Sequence, residues 1–106
     1  MIADLSVMKT FVSVVDQGSV VGAAKALGYS PAAVSRQMGW LQRRLGVRLF
    51  VPVGRSIEPT APALEFVQRC REVVEEVRRF ESYARDFASA EGATTQGQAA
   101  YQPQPG

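Results

Sequence analysis

Between Ser30 and Gly46 the chain marks both ends of a helix and separates its faces. Ser30 suits an N-cap, because its hydroxyl can accept a bond from a backbone N–H left unpaired in the first turn. Pro31 follows with a preset φ at a position that needs no amide hydrogen. Val34, Met38, Leu41 and Leu45 recur at steps of four, three and four, which builds one apolar stripe that has to face a core. Ala32, Ser35, Arg36, Gly39 and Arg43 follow similar steps on another side, leaving a face of little bulk with a hydroxyl and two guanidinium groups. Such a face can be approached closely, and its chemistry suits the edges of nucleic-acid bases.

The flanking segments give this helix its setting. Asp4 can cap a first helix whose Leu5, Met8, Phe11, Val12 and Val15 share one face, and Gly18 ends it. Ser19 then caps a short second helix through Leu27, with Val20, Ala23, Ala24 and Leu27 turned inward. The Gly28-Tyr29 turn leads straight to Ser30, so two helices meet across a very short connection, which is the helix-turn-helix layout. After Gly46, Val47, Leu49 and Val51 alternate with Arg48 and Phe50 as a strand would. Pro52 to Arg55 supplies turn residues, and Ser56 to Glu58 can return as a second strand, making a hairpin wing with Arg55 near its tip.

From Thr60, a further N-cap with Pro62 in the first turn, a long helix is predicted. Phe66, Cys70, Val73, Val77, Phe80, Ala84 and Phe87 are spaced alternately four and three apart, a sustained heptad stripe. A helix of roughly 27 residues is about 40 Å long, more than a small domain covers, so the seam calls for a partner and dimerisation is the economical answer. A second line through Leu64, Val67 and Val74 is expected to pack the early turns onto the domain. Beyond Ala88 the periodicity ends in Ala, Gly, Gln, Thr and Pro, and disorder is expected. The domain reading is therefore 1–60 for the winged helix-turn-helix, 61–88 for the linker and dimerisation helix, and 89–106 for a polar tail.

Composition bounds the alternatives. A chain of 106 residues, 46% hydrophobic, has room for one modest core. The net charge is only +2, yet residues 1–60 carry seven Lys/Arg against three Asp/Glu, a basic head that favours polyanions. Cys70 is the single cysteine and histidine is absent, so an internal disulfide and an ordinary zinc site are both excluded, and no metal or other cofactor is expected. Asp4, Lys9 and Asp16 interrupt the N-terminal apolar run, so neither a signal peptide nor a membrane span fits, and a reducing cytoplasmic setting is expected. An enzyme is disfavoured, since no histidine, Gly-rich phosphate loop or carboxylate cluster is present.

The order of parts and the residues that carry it resemble the N-terminal winged helix-turn-helix of LysR-type transcriptional regulators. The shared residues run from Leu5 and Phe11 through Gly18-Ser19, Ala23-Ala24, Leu27, Ser30, Ala33-Val34-Ser35, Leu41, Leu45-Gly46 and Leu49-Phe50 to Gly54-Arg55 and Thr60. The resemblance covers roughly residues 3 to 88. It implies a mainly α fold, three helices plus a small β-hairpin wing followed by a long dimerisation helix. It also implies a bacterial, nucleoid-associated DNA-binding module that pairs as a homodimer through antiparallel linker helices and sets two recognition helices in successive major grooves. By position, Ala32, Ser35 and Arg36 would face bases, Ser30 and Gln37 would hold phosphates, and Arg55 would reach the minor groove. The seam of Phe66, Cys70, Val73, Val77, Phe80, Ala84 and Phe87 would form the dimer interface.

Four departures stand out: Pro31 where the family usually has Gln, Gln42 for Glu, Pro52 for Arg, and Pro62-Ala63 for Ala-Gly. Family members normally continue into a ligand-binding domain of two α/β lobes, and this chain is expected to hold no small-molecule effector site. An alternative function is an interaction protein that pairs through the seam with a full-length relative and modulates it. Some residues keep two readings. Arg36, Arg43 and Arg44 fit a solvated helix face as well as a DNA contact, Trp40 lies off the stripe and fits either a lid on the core or a partner contact, and Cys70 fits packing better than chemistry.

Overall fold

The computed structural model describes residues 4–94. Its elements are α1 (Leu5–Gln17), α2 (Val20–Leu27), α3 (Pro31–Leu45), β1 (Phe50–Val53), β2 (Ser56–Pro59) and α4 (Ala61–Thr94). The fold is mainly helical, with one two-stranded antiparallel hairpin as the wing. The described residues fall into two units, one running through Val74 and one starting at Glu75.

Each of the first three helices begins on a side-chain cap. The Asp4 carboxylate accepts from Val7 N (3.3 Å), Ser19 Oγ from Gly22 N (2.8 Å) and Ser30 Oγ from Ala33 N (3.1 Å). Thr60 does more than cap. Its Oγ1 accepts from Ala63 N (3.3 Å) and donates to the Arg48 carbonyl (2.7 Å), while its own amide donates to the Leu49 carbonyl (2.9 Å). The start of α4 is thereby tied to the segment that leads into the wing.

The core of the first unit draws on every helix: Val7, Phe11 and Val14 from α1, Ala23 and Ala24 from α2, Val34, Met38 and Leu41 from α3, and Ala63, Val67 and Cys70 from α4, with Leu49 ahead of the wing. Phe11 is its hub, fully buried, with the rings of Phe50 and Phe66 each 5.7 Å away. The expected inner face of α1 needs correcting. Val7, Thr10, Phe11 and Val14 are the buried positions, and Met8, Val12 and Val15 only flank the core. This helix is apolar around most of its circumference, so periodicity alone does not choose the side that faces inward. Thr10 is accommodated because its hydroxyl donates to the Ser6 carbonyl (2.9 Å).

The wing starts later than the alternation suggests. Val47 is exposed and Leu49 buried, and pairing begins at Phe50 opposite Pro59. Where the strand begins, the amides of Leu49 and Phe50 donate to Gln42 Oε1 (2.7 and 3.4 Å). The turn is shorter than expected. Val53 pairs with Ser56, leaving only Gly54-Arg55 as the loop, and Gly54 at φ 60 supplies the positive dihedral that a tight hairpin needs at its first central residue. Pro52 is tolerated because both strands of a two-stranded hairpin are edges.

α4 also departs from expectation at both ends. Leu64 is 51% exposed, and Ala63 takes its place in the core beside Val67. The helix continues past Ala88 to Thr94, since Ala90, Glu91 and Ala93 favour helix and no proline interrupts. The rest of the tail expected to be disordered, 95–106, lies outside the described residues.

Candidate nucleic-acid interface

The turn ahead of α3 is set by two backbone bonds: the amides of Gly28 and Tyr29 both donate to the Ala24 carbonyl, and Gly28 adopts φ 76. Ser30 then starts α3 with its side chain on Ala33 N and its carbonyl accepting from Val34 N (3.1 Å). Because Val34, Met38 and Leu41 are locked into the core, the opposite side of α3 faces outward. Ala32, Ser35 and Arg36 are exposed there, as are Arg43 and Arg44. The three residues expected to meet bases therefore share one accessible face.

The other expected residues fall around it. Ser30 is exposed at the helix N-terminus, where the partial positive charge of the unpaired amides favours an anion. Gln37 is half-buried, and its Oε1 is enclosed without a hydrogen-bond partner. Arg55 is exposed in the wing turn.

Two shallow depressions border α3. One, of about 420 Å³, is lined by Val7, Ala33, Arg36, Gln37, Trp40 and Arg43. The other, of about 340 Å³, is lined by Gly39, Gln42, Arg43, Gly46, Val47 and Arg48. Arg43 borders both. Its guanidinium Nη1 lies 3.2 Å from where a Cβ on Gly39 would stand, so the absent side chain leaves room for the cation to lie along the helix. Arg48 is the member that sequence reasoning missed, although a cation two residues after the Gly46 cap was a legible signal. Trp40 is half-buried against the core, with the Arg44 guanidinium over its ring at 5.6 Å. Of the head's three acids, Asp4 caps α1 and Asp16 forms a two-bond pair with Arg71 (2.7 and 3.2 Å).

The expected seam on α4 divides. Cys70 is buried in the core, and the half-buried Phe66 packs against Phe11. Burial also pushes the Cys70 thiol up, which disfavours the reactive thiolate. Val73, Phe80 and Phe87 are exposed, and Val77 and Ala84 are half-exposed. Tyr83 was not foreseen. It is 61% exposed, its ring 6.3 Å from Phe80 and stacked 6.1 Å from Phe87. Aromatics at steps of three and four were its signal.

No group of three or more Cys, Asp or Glu among the described residues is arranged to hold a metal ion. No helix among them is long and apolar enough to cross a membrane.

Residues 5–64 match the family of bacterial regulatory helix-turn-helix proteins of the lysR type. The chain belongs to that lysR family. An HTH-type transcriptional repressor of Pseudomonas aeruginosa is 36% identical over 81 residues, 76% of this chain and 26% of the relative. The HTH-type transcriptional regulator AbaB of Streptomyces antibioticus is 41% identical over 66 residues, 62% of this chain and 22% of that protein. The chain thus spans about a quarter of the length of the curated relatives it matches. Among solved structures, a complex of the CbnR DNA-binding domain with DNA superposes with a TM-score of 0.73 at 33% identity, covering 80% of this chain and 98% of that one. Full-length CbnR, a LysR family transcriptional regulator, gives a TM-score of 0.72 at 35% identity over 84% of this chain and 30% of that one. The fold of this lysR-family chain is that of the winged-helix DNA-binding domain, with a long C-terminal helix.

Proposed function

We propose that this chain is the DNA-binding module of a bacterial transcriptional regulator, acting as a homodimer on a two-part site. The observation that carries the reading is α3, whose inner face is locked by Val34, Met38 and Leu41 and whose outer face presents Ala32, Ser35 and Arg36. In the major groove, Arg36 bonds bidentately to guanine, Ser35 serves either partner of a base pair, and Ala32 meets a thymine methyl. Ser30 already accepts a bond from Ala33 N, which leaves its hydroxyl proton for a phosphate oxygen. Gln37 takes a neighbouring phosphate, and Arg43 and Arg48 extend the cationic border. Arg55 enters the minor groove from the wing. The exposed part of the α4 seam, Val73, Phe80, Tyr83 and Phe87, joins two copies, and the two probes then reach half-sites one turn apart.

Fluorescence anisotropy on selected DNA fragments tests this. Specific affinity is expected to fall steeply with salt, because each neutralised phosphate releases counterions. Affinity that stays constant from low to physiological salt overturns the interface. Arg36→Ala is expected to cost about 1 to 3 kcal/mol and to relax discrimination at one base pair. An equal loss on every sequence makes Arg36 a phosphate clamp instead. A chain that binds no DNA at low salt yet retains a larger lysR-family protein favours the heterodimeric interaction reading.

A further inference from the structure

The depression of about 340 Å³ beside the C-terminal half of α3 is lined by Gly39, Gln42, Arg43, Gly46, Val47 and Arg48, which bring two guanidinium groups and no acid. It continues the presented face of the helix. Gly39 follows Ser35 by four residues and Arg36 by three, so it stands one helical turn, about 5.4 Å, beyond the side chains assigned to bases. A major groove is about 12 Å wide, and recognition helices meet base edges with their N-terminal residues. One turn further on, the helix therefore meets the wall of the groove, which is sugar and phosphate. The resemblance puts phosphates on Ser30 and Gln37 and none at this end of α3.

We propose that this depression holds one backbone phosphate of DNA, clamped between the guanidinium groups of Arg43 and Arg48. The site rests on the DNA-binding reading and adds to it a phosphate contact at the far end of α3. Arg43 lies back along its own helix. Its Nη1 is 3.2 Å from where a Cβ on Gly39 would stand, so the cation sits a turn ahead of its own Cα, in a seat that a longer side chain at position 39 would occupy. Arg48, exposed two residues past the Gly46 cap, brings the second guanidinium from the segment that leads into the wing. Gln42 adds a third donor, because its Oε1 is committed to the amides of Leu49 and Phe50 (2.7 and 3.4 Å) and its NH2 is left over. The Gln42 carbonyl, part of the negative end of the helix, accepts from the amides of Gly46 and Val47 (2.8 and 3.3 Å), which lessens its repulsion of an anion. Two planar guanidinium forks match the non-bridging oxygens of a single phosphate.

Phosphate replacement tests the clamp, using the full chain and a DNA fragment selected as above, with each backbone phosphate exchanged in turn for an uncharged methylphosphonate. One exchange in each half-site is expected to weaken the wild type about tenfold and to cost the Arg43→Ala/Arg48→Ala double variant less than about twofold. Either single substitution is expected to lower affinity by a similar factor on every sequence, with base preferences unchanged. The double variant is expected to flatten the dependence of log affinity on log salt by about one phosphate and not two, because both cations serve the same group. Arg43 and Arg48 are exposed, so the urea unfolding midpoint is expected to stay where it is in the wild type. A loss of two phosphates from the salt slope, a changed preference at one base pair, unchanged affinity, or a double variant still sensitive at every exchanged position overturns the shared clamp and leaves the DNA-binding reading standing. Wild-type affinity that does not vary with salt overturns both.

Discussion

Gln42 illustrates how one side chain organises a joint. Its Oε1 takes the amides of Leu49, just ahead of β1, and of Phe50, the first residue of that strand. Gln42→Leu strands both donors and is expected to destabilise the fold by about 1 to 3 kcal/mol, measured by urea unfolding. Gln42→Glu keeps the acceptor and adds charge assistance, so it is expected to be near neutral. This explains how a glutamine stands where the resemblance leads one to expect glutamate: the site asks for an oxygen acceptor, and both side chains carry one. The same resolution at single residues separates Cys70 from Phe80. Both lie on the apolar heptad stripe, but one is a core atom and the other is a surface ring.

The helix-turn-helix depends on a turn that few residues can make. Gly28 adopts φ 76 with open space around the position of a Cβ, so a substitution there meets a backbone penalty and no clash. Gly28→Ala is expected to cost about 1 to 2 kcal/mol, the left-handed penalty of an L-residue, and to lower DNA affinity because the angle between α2 and α3 sets what α3 can reach. Thermal unfolding and anisotropy measured on one preparation separate the two effects. α3 itself was fully legible in the sequence, because cap, proline, apolar stripe and closing glycine are all local signals. The wing was legible as a hairpin, but its starting residue was not. Alternation in Val47 to Val51 looks the same whether the amides go to a strand or to a glutamine seven residues back.

At the scale of the molecule, contacts far apart in sequence join the parts of the first unit. Phe11 gathers β1 and α4, and the Asp16–Arg71 pair fastens the end of α1 to α4 across 55 residues. The hydrogen bonds that Arg71 donates to Asp16 push its guanidinium still further above its ordinary value, so the group stays a cation. The pair is partly exposed, and Asp16→Asn is expected to cost up to about 1 kcal/mol, less in high salt. On the second unit, Arg78 donates to Glu75 (2.7 and 2.9 Å) and holds that carboxyl below the usual carboxylate range. Glu75 therefore contributes helix stability above that range and loses it as pH falls through the lowered value. Acid titration by circular dichroism is expected to show this small loss in the wild type and not in Glu75→Gln.

The amino-acid sequence by itself determined where each of the first three helices begins and ends, that α3 has a locked face and a presented one, and that a hairpin follows. Caps, proline and glycine act within a few residues, so their effect survives without knowledge of the rest of the chain. Only the tertiary structure decided which side of α1 is inside, and how the α4 stripe divides between the core and an exposed row of aromatic rings. An apolar residue records that it must be covered, and only the packed elements around it record by what.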